Sequence, residues 1–213
     1  MRPVHPRIVI ATRVQLDDWR AALAGGAGRV GWKIAHGIDE VEALVGADPV
    51  LGHITSATVL EPGGIFEGAG AARELRAETE LVVEVGPDDT VAGLAVALEI
   101  VDTARPPDGL EWIVAANVYH RAVAFAPTRR DATHVGAAAR LLVDGQVREV
   151  APVTSDPDRT VAAIARLLAA VGERLEPGDR ILAGSSCHVP VAPGEEVVAE
   201  IDALGAVAVT IAP

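Results

Sequence analysis

The sequence predicts an α+β, β-rich fold, a mixed β-roll or sandwich with flanking helices, on three observations. Short runs of β-branched and apolar residues outnumber helical stretches, glycine and proline cut them at short intervals, and Asp144-Gly145 between two such runs is a tight-hairpin signal. Many strands with few helices favour a rolled or sandwiched sheet over a doubly wound α/β fold.

Taken in order, Arg7 to Val14 reads as a short strand of β-branched residues. Leu16 to Leu23 has helical spacing, with Asp17-Asp18 as its starting charges and Gly25-Gly26 as its end. Arg29 to Ala35 is a strand, and Ile38, Val41, Leu44 and Val45 mark one face of a helix. Pro49, Gly52, Pro62, Gly63 and Gly64 predict loops that wrap a site. Leu75 to Val85 alternates, with Leu75, Ala77, Thr79, Leu81 and Val83 on one face and Glu78, Glu80, Val82 and Glu84 on the other. Leu94 to Val101 is a second apolar strand, and Ile113 to Phe125 reads as two more around Asn117. Ala137 to Val143 and Val147 to Val150 form the hairpin. Thr160 to Leu175 is the clearest helix, capped by Asp156 or Asp158 and followed by Pro177-Gly178. Ile181 to Ala183, Val197 to Ile201 and Ala206 to Ile211 return to strands.

No linker or repeat divides the 213 residues, so one domain is expected, with residues 1–30 as a short N-terminal strand and helix and residues 31–213 as the roll that carries the site. A hydrophobic content of 50% suffices for a sizeable core. The net charge of −12 repels phosphate backbones and anionic lipid, which argues against nucleic acid or a membrane surface as partner. The lone Cys187 and the lack of an apolar leader in Met1 to Ile10 point to the cytoplasm. No apolar run approaches the roughly 18 residues of a membrane span.

The acidic residues carry the chemistry. Glu78 and Glu80, two apart on a strand, present both carboxylates on one face roughly 6 to 7 Å apart. Hard oxygen donors of this kind suit Mg²⁺, Mn²⁺ or Ca²⁺. Glu99 interrupts an apolar run, where an uncompensated charge is costly and a metal ion would remove the cost. Spacing alone leaves a second reading open, in which Glu78 and Glu80 face solvent and Glu99 pairs with an arginine. Lys33, the only lysine, stands in the apolar segment Val30-Gly31-Trp32-Lys33-Ile34. There it either meets an anion and moves a proton or snorkels to the surface.

Five segments in register then resemble a known pattern: Gly31-Trp32-Lys33-Ile34, Pro49-x-x-Gly52-x-Ile54, Glu78-Thr79-Glu80-Leu81, Ala97-Leu98-Glu99-Ile100-Val101-Asp102 and Ala116-Asn117. With the tail from Pro177 to Gly184, Pro193-Gly194 and Leu204-Gly205, they resemble the 2-keto-4-pentenoate hydratase and 4-oxalocrotonate decarboxylase branch of the fumarylacetoacetate hydrolase superfamily. The resemblance implies the fold of that superfamily's C-terminal domain and a homo-oligomer. It implies Mg²⁺ or Mn²⁺ held at Glu78, Glu80 and Glu99, a small 2-oxo acid chelated to the ion, and Lys33 assisting proton transfer. It also sets departures in relief. Val50 stands where hydratases carry an Asp, and Val118-Tyr119-His120 replaces the Ala-Ser-Ser of their Asp-Asn-Ala-Ser-Ser run. Tyr119 and His120 are therefore candidate catalytic groups, His120 as a substitute acid/base, or else fill space left by a smaller substrate. Much of the N-terminal helical region is absent, and the short stretch between Glu80 and Glu99 suggests a reduced lid.

His36 and His53 near the site mouth read as surface or hydrogen-bonded histidines, and Arg129-Arg130 as solvated or at a subunit contact. Cys187 and His188 adjoin but point to opposite faces of a strand, which favours a structural role. The expected function is a metal-dependent hydro-lyase of the 2-keto-4-pentenoate hydratase type. The alternatives are a 2-oxo acid decarboxylase of the 4-oxalocrotonate type and a non-catalytic subunit that binds metal and oxo acid.

Overall fold

The computed structural model describes residues 4–36, 49–104 and 110–213; the helix expected over Ile38 to Val45 lies outside them. Pro6–Ala24 form one helix, α1, where the sequence predicts a strand and then a helix. Its buried residues Ile8, Ala11, Thr12, Gln15, Leu16 and Trp19 recur at three and four, so helical periodicity spans the whole segment. Pro6 in the first turn, and the His5 ring accepting from the Arg7 backbone N–H at 3.3 Å, fix its start. The β-branched Ile10 and Val14, which suggested a strand, face solvent. Asp17 thus sits within the helix, paired with Arg20 one turn on.

The first sheet has seven strands: β1 (Arg29–Ala35), β2 (Val50–Thr55), β3 (Val59–Leu60), β5 (Leu75–Val85), β6 (Val91–Asp102), β7 (His120–Phe125) and β10 (Arg180–Pro190), in the order β2-β1-β10-β5-β6-β7-β3. The second has five: β4 (Ile65–Phe66), β8 (Ala138–Val143), β9 (Gln146–Pro152), β11 (Glu196–Ile201) and β12 (Gly205–Ile211), ordered β4-β12-β11-β8-β9. Parallel pairs (β1 with β10, β3 with β7, β4 with β12) among antiparallel ones make both sheets mixed. β1 and β5 have the bounds their patterns predict, and the β8–β9 hairpin turns at Asp144-Gly145 with φ of 50° and 72°.

Beyond α1, four further expectations change. Val50–Thr55 is a strand, because Gly52 lets it pack directly on β1. Leu110–Ala115 is a short helix, α2, followed by a left-handed turn and then β7, instead of two strands around Asn117. β10 continues to Pro190, its small residues accommodated by register shifts on either side of Ser185. The stretch from Glu80 to Glu99 is the β5–β6 hairpin, not a lid. The predicted long helix, α3 (Pro157–Val171), begins earlier than expected with Asp156 capping the Arg159 N–H at 3.1 Å, and ends at Gly172.

The odd-numbered face of β5, with Leu81 and Val83, packs on Leu141, Val197 and Val209 of the second sheet. The even-numbered face looks into the curl of the first sheet, where Val82, Ala95, Ala97, Val123 and Leu182 form a separate small core beside Ile54. Glu78 and Glu80 continue that inner face of β5, and Glu99 continues the inner face of β6. Among the described residues no helix is long and apolar enough to cross a membrane.

Candidate metal centre

Glu78 on β5 and Glu99 on β6 are direct cross-strand partners, and Glu80 follows on the same face. One carboxylate oxygen of each lies within 4.8 Å of the others. Like charges placed opposite one another on a sheet repel, so such a cluster needs a cation. Part of it is Lys33, buried on β1, whose Nζ donates to Glu99 Oε1 at 2.5 Å and to the Val118 carbonyl at 3.3 Å. Three strand spacings of about 4.8 Å separate β1 from β6 in the sheet order. Only a curled sheet lets these side chains meet, and the shifts in β10 at Gly184-Ser185 supply local twist between them.

His120 backs the same carboxylate. Its Nδ1 lies 2.7 Å from Glu99 Oε1 and its Nε2 2.9 Å from the Thr58 hydroxyl. Both ring nitrogens are taken and the side chain is buried, so the imidazole, offered by the sequence as a substitute acid/base or as a space-filler, sits behind Glu99 and supports that carboxylate. Tyr119 lines a cleft, at the end of a turn in which Asn117, Val118 and Tyr119 have φ of 62°, 51° and 65°. The cleft, about 1270 Å³, runs from Lys33, Glu78 and Glu80 past Arg76 and His188 to Arg159 and Arg166 on α3.

The electrostatics divide the three carboxylates. Burial and the repulsion of Glu99 push Glu78 up to about 8. Burial, with Glu99 and Glu78 as neighbours, holds Glu80 well above the carboxylate range. Glu99 is opposed by burial too, but Lys33 and His120 outweigh it and keep its pKa low. Burial likewise works against the Lys33 charge, yet Glu99, Glu78 and Glu80 together raise its pKa.

The centre fits a divalent ion. Its donors are hard oxygens, and Glu80 Oε2 and Glu99 Oε2 are buried without a hydrogen-bond partner. Lys33 compensates only part of the charge. Glu78, Glu80 and Glu99 are the residues that would hold the ion.

A pH dependence follows. Glu78 and Glu80 bind protons more firmly in the folded than in the unfolded chain, so their contribution is complete below about 4.5; that of Glu78 is lost as pH rises through about 8, and that of Glu80 declines in the same direction. Burial lowers the pKa of His53, to about 4, and of His188; both act in the opposite sense only below about 6.5. Metal-free protein is therefore expected to lose thermal stability between about pH 6.5 and 8.5, and saturating metal to flatten the decline. A melting temperature that climbs through this window in chelator contradicts the assignment.

Sequence reasoning set aside His188 and passed over Arg76. His188 stands opposite Glu78 on β10, with Nε2 3.6 Å from Glu78 and accepting from Arg76 Nε at 2.6 Å. Alternation along β10 carried the signal, since Cys187, the neighbour on the other face, is buried with its thiol pushed up to about 11 by that burial. Val50 is fully buried among Ile8, Ala11, Val114 and Val118. His36 lines the cleft, whereas His53 lies on β2, its backbone N–H and carbonyl bonded to the Asn117 amide. Arg129 donates to the Leu204 carbonyl at 3.0 Å, outside the cleft.

No protein-family profile matches the sequence, and no curated protein matches it either. Solved structures do match. A 4-oxalocrotonate decarboxylase from Pseudomonas putida G7, complexed with magnesium and adipate, is 22% identical and superposes with a TM-score of 0.83 over 96% of this chain and 86% of its own. A 2-hydroxyhepta-2,4-diene-1,7-dioate isomerase from Mycobacterium marinum gives 0.65 at 17% identity over 87% and 75%. A fumarylpyruvate hydrolase from Pseudomonas aeruginosa, in complex with Mn²⁺ and pyruvate, gives 0.59 at 19% identity over 87% and 90%. The chain has the fold of these enzymes, the fold that its resemblance to the fumarylacetoacetate hydrolase superfamily predicts.

Proposed function

We propose that the chain is a member of the fumarylacetoacetate hydrolase superfamily and a divalent-metal-dependent lyase that decarboxylates a small 2-oxo acid. The observation that carries this is the convergence of Glu78, Glu80 and Glu99 within 4.8 Å, with the Lys33 ammonium on Glu99. The magnesium and Mn²⁺ complexes of similarly folded enzymes support the choice of ion. Mg²⁺ or Mn²⁺ at these carboxylates would supply Lewis-acid polarisation of the 2-oxo group.

The chain's own residues do the rest. Lys33 is held protonated by its carboxylate neighbours, so it serves as a proton donor and positive centre, not as a base. In a substrate whose departing carboxylate lies β to the 2-oxo carbon, directly or through a conjugated double bond, the C–C bond breaks and CO₂ leaves. Its electron pair moves into the chain to form the enolate, and Lys33 delivers a proton that solvent replaces. His120, tied to Thr58, keeps Glu99 in place, and Tyr119 borders the substrate space.

Decarboxylation is favoured over hydration by Val50. Hydration needs a group that activates water, and the position expected to supply a carboxylate holds a valine sealed in an apolar cluster. Losing CO₂ needs no activated water. Homo-oligomeric assembly, from the resemblance, and a cytoplasmic location, from the lone cysteine, complete the proposal.

Magnesium or manganese at a hundred times Kd is expected to stabilise the protein by about 2.7 kcal/mol, and Glu80→Gln to abolish the rise. A flat titration removes the basis of the proposal. With 2-oxo acids carrying a second carboxylate, CO₂ release should accompany turnover. Loss of dienol absorbance without CO₂ points to hydration instead.

A further inference from the structure

One edge of the curled sheet is β2, and near the other edge the left-handed turn leads into β7. Gln15 Nε2 bridges Leu51 of β2 and Val114 behind the seam, at 2.9 and 2.6 Å, and the Asn117 side chain closes it at the turn itself. Asn117 Oδ1 accepts from the His53 N–H at 2.7 Å, and Asn117 Nδ2 donates to the His53 carbonyl at 2.9 Å. This is the pair of bonds that a neighbouring strand would make to an open edge.

Both ends of that staple touch the Lys33 environment. Gly52, next to the clamped His53, stands directly opposite Lys33. A Cβ at Gly52 would lie 2.6 Å from Lys33 Cγ and 3.1 Å from Asn117 Oδ1, so bare backbone forms the floor under the lysine stem. At the tip, the left-handed backbone of Asn117, Val118 and Tyr119 aims the Val118 carbonyl at Lys33 Nζ, 3.3 Å away. Three successive non-glycine residues in this region persist only where their surroundings enforce it.

We infer that Asn117 is a positioning residue for Lys33: its amide closes the curled sheet between β2 and the turn before β7, and this closure sets where the ammonium sits. The inference rests on the proposed role of Lys33 in proton transfer, but its first readout does not. Because Lys33 is the only lysine, ¹³C-lysine labelling of the metal-free protein gives resonances from that side chain alone.

Asn117→Gly keeps the left-handed backbone and removes the amide. It is expected to shift the Lys33 ε-methylene resonance and to lower kcat on the order of a hundredfold with KM little changed. Asn117→Asp retains the acceptor for the His53 N–H and should fall between Asn117→Gly and wild type in both readouts. A folded Asn117→Gly protein with the Lys33 resonance unmoved overturns the inference whatever its activity. Should Asn117→Gly fail to fold, the same shift is read in Asn117→Asp, and an unmoved resonance there overturns it equally. A shifted resonance in a protein whose wild type consumes no oxo acid leaves the positioning role standing and removes the proposed function instead.

Discussion

Lys33→Met is expected to reduce turnover about 10²- to 10⁴-fold while leaving the metal-induced rise in melting temperature intact or larger. Methionine preserves most of the buried stem volume and removes the charge. Without the ammonium, Glu99 keeps His120 but faces Glu78 and Glu80 uncompensated, so the metal-free protein should melt lower than wild type. A divalent ion then relieves more repulsion than before. Thermal melts with and without Mg²⁺, read beside a single-turnover assay, separate the two effects. Unchanged turnover would reduce Lys33 to a structural counter-ion.

The largest purely structural effect is expected at Asp179, remote from the carboxylates. This buried side chain accepts from Arg29 Nε at 2.7 Å, from a second Arg29 nitrogen at 2.6 Å, from Trp32 Nε1 at 3.0 Å and from the Glu176 backbone N–H at 2.9 Å. Arg29 in turn lies over the rings of Trp19 and Trp32, at 5.7 and 5.3 Å from their centroids. Asp179→Ala strips the half-buried guanidinium of both carboxylate bonds, leaving it only the Arg174 carbonyl and the more exposed Glu176, and leaves the Trp32 indole N–H unpaired, a loss of about 3 to 5 kcal/mol. For a chain of this size that is about 6 to 20 °C in Tm. Asp179→Asn, which retains an acceptor, should fall between the variant and wild type. A change under about 1 kcal/mol in denaturant unfolding would mean that solvent replaces these bonds.

The legible parts of the fold were those where a local rule acts without competition. β1 and β5 could be read to their ends because alternation and apolar runs are properties of a few successive residues. α1 was misread because Ile8, Val9, Ile10, Thr12 and Val14 favour a strand one at a time, while the face that matters recurs through Trp19. The turn at Asn117 was hidden because Val118 and Tyr119 are residue types that seldom adopt a left-handed backbone, and only the surrounding contacts hold them there.

For the site, the sequence alone determined that Glu78 and Glu80 share a strand face, that Glu99 breaks an apolar run, and that Lys33 is a cation in apolar surroundings. The tertiary structure decided that these four meet, that the partner of Glu99 is Lys33 and not an arginine, and that His120 stands behind Glu99. The physical reason is range. Side-chain alternation follows from the geometry of one strand, whereas the approach of β1 to β6 depends on the accumulated twist of all the strands between them, which no short segment encodes.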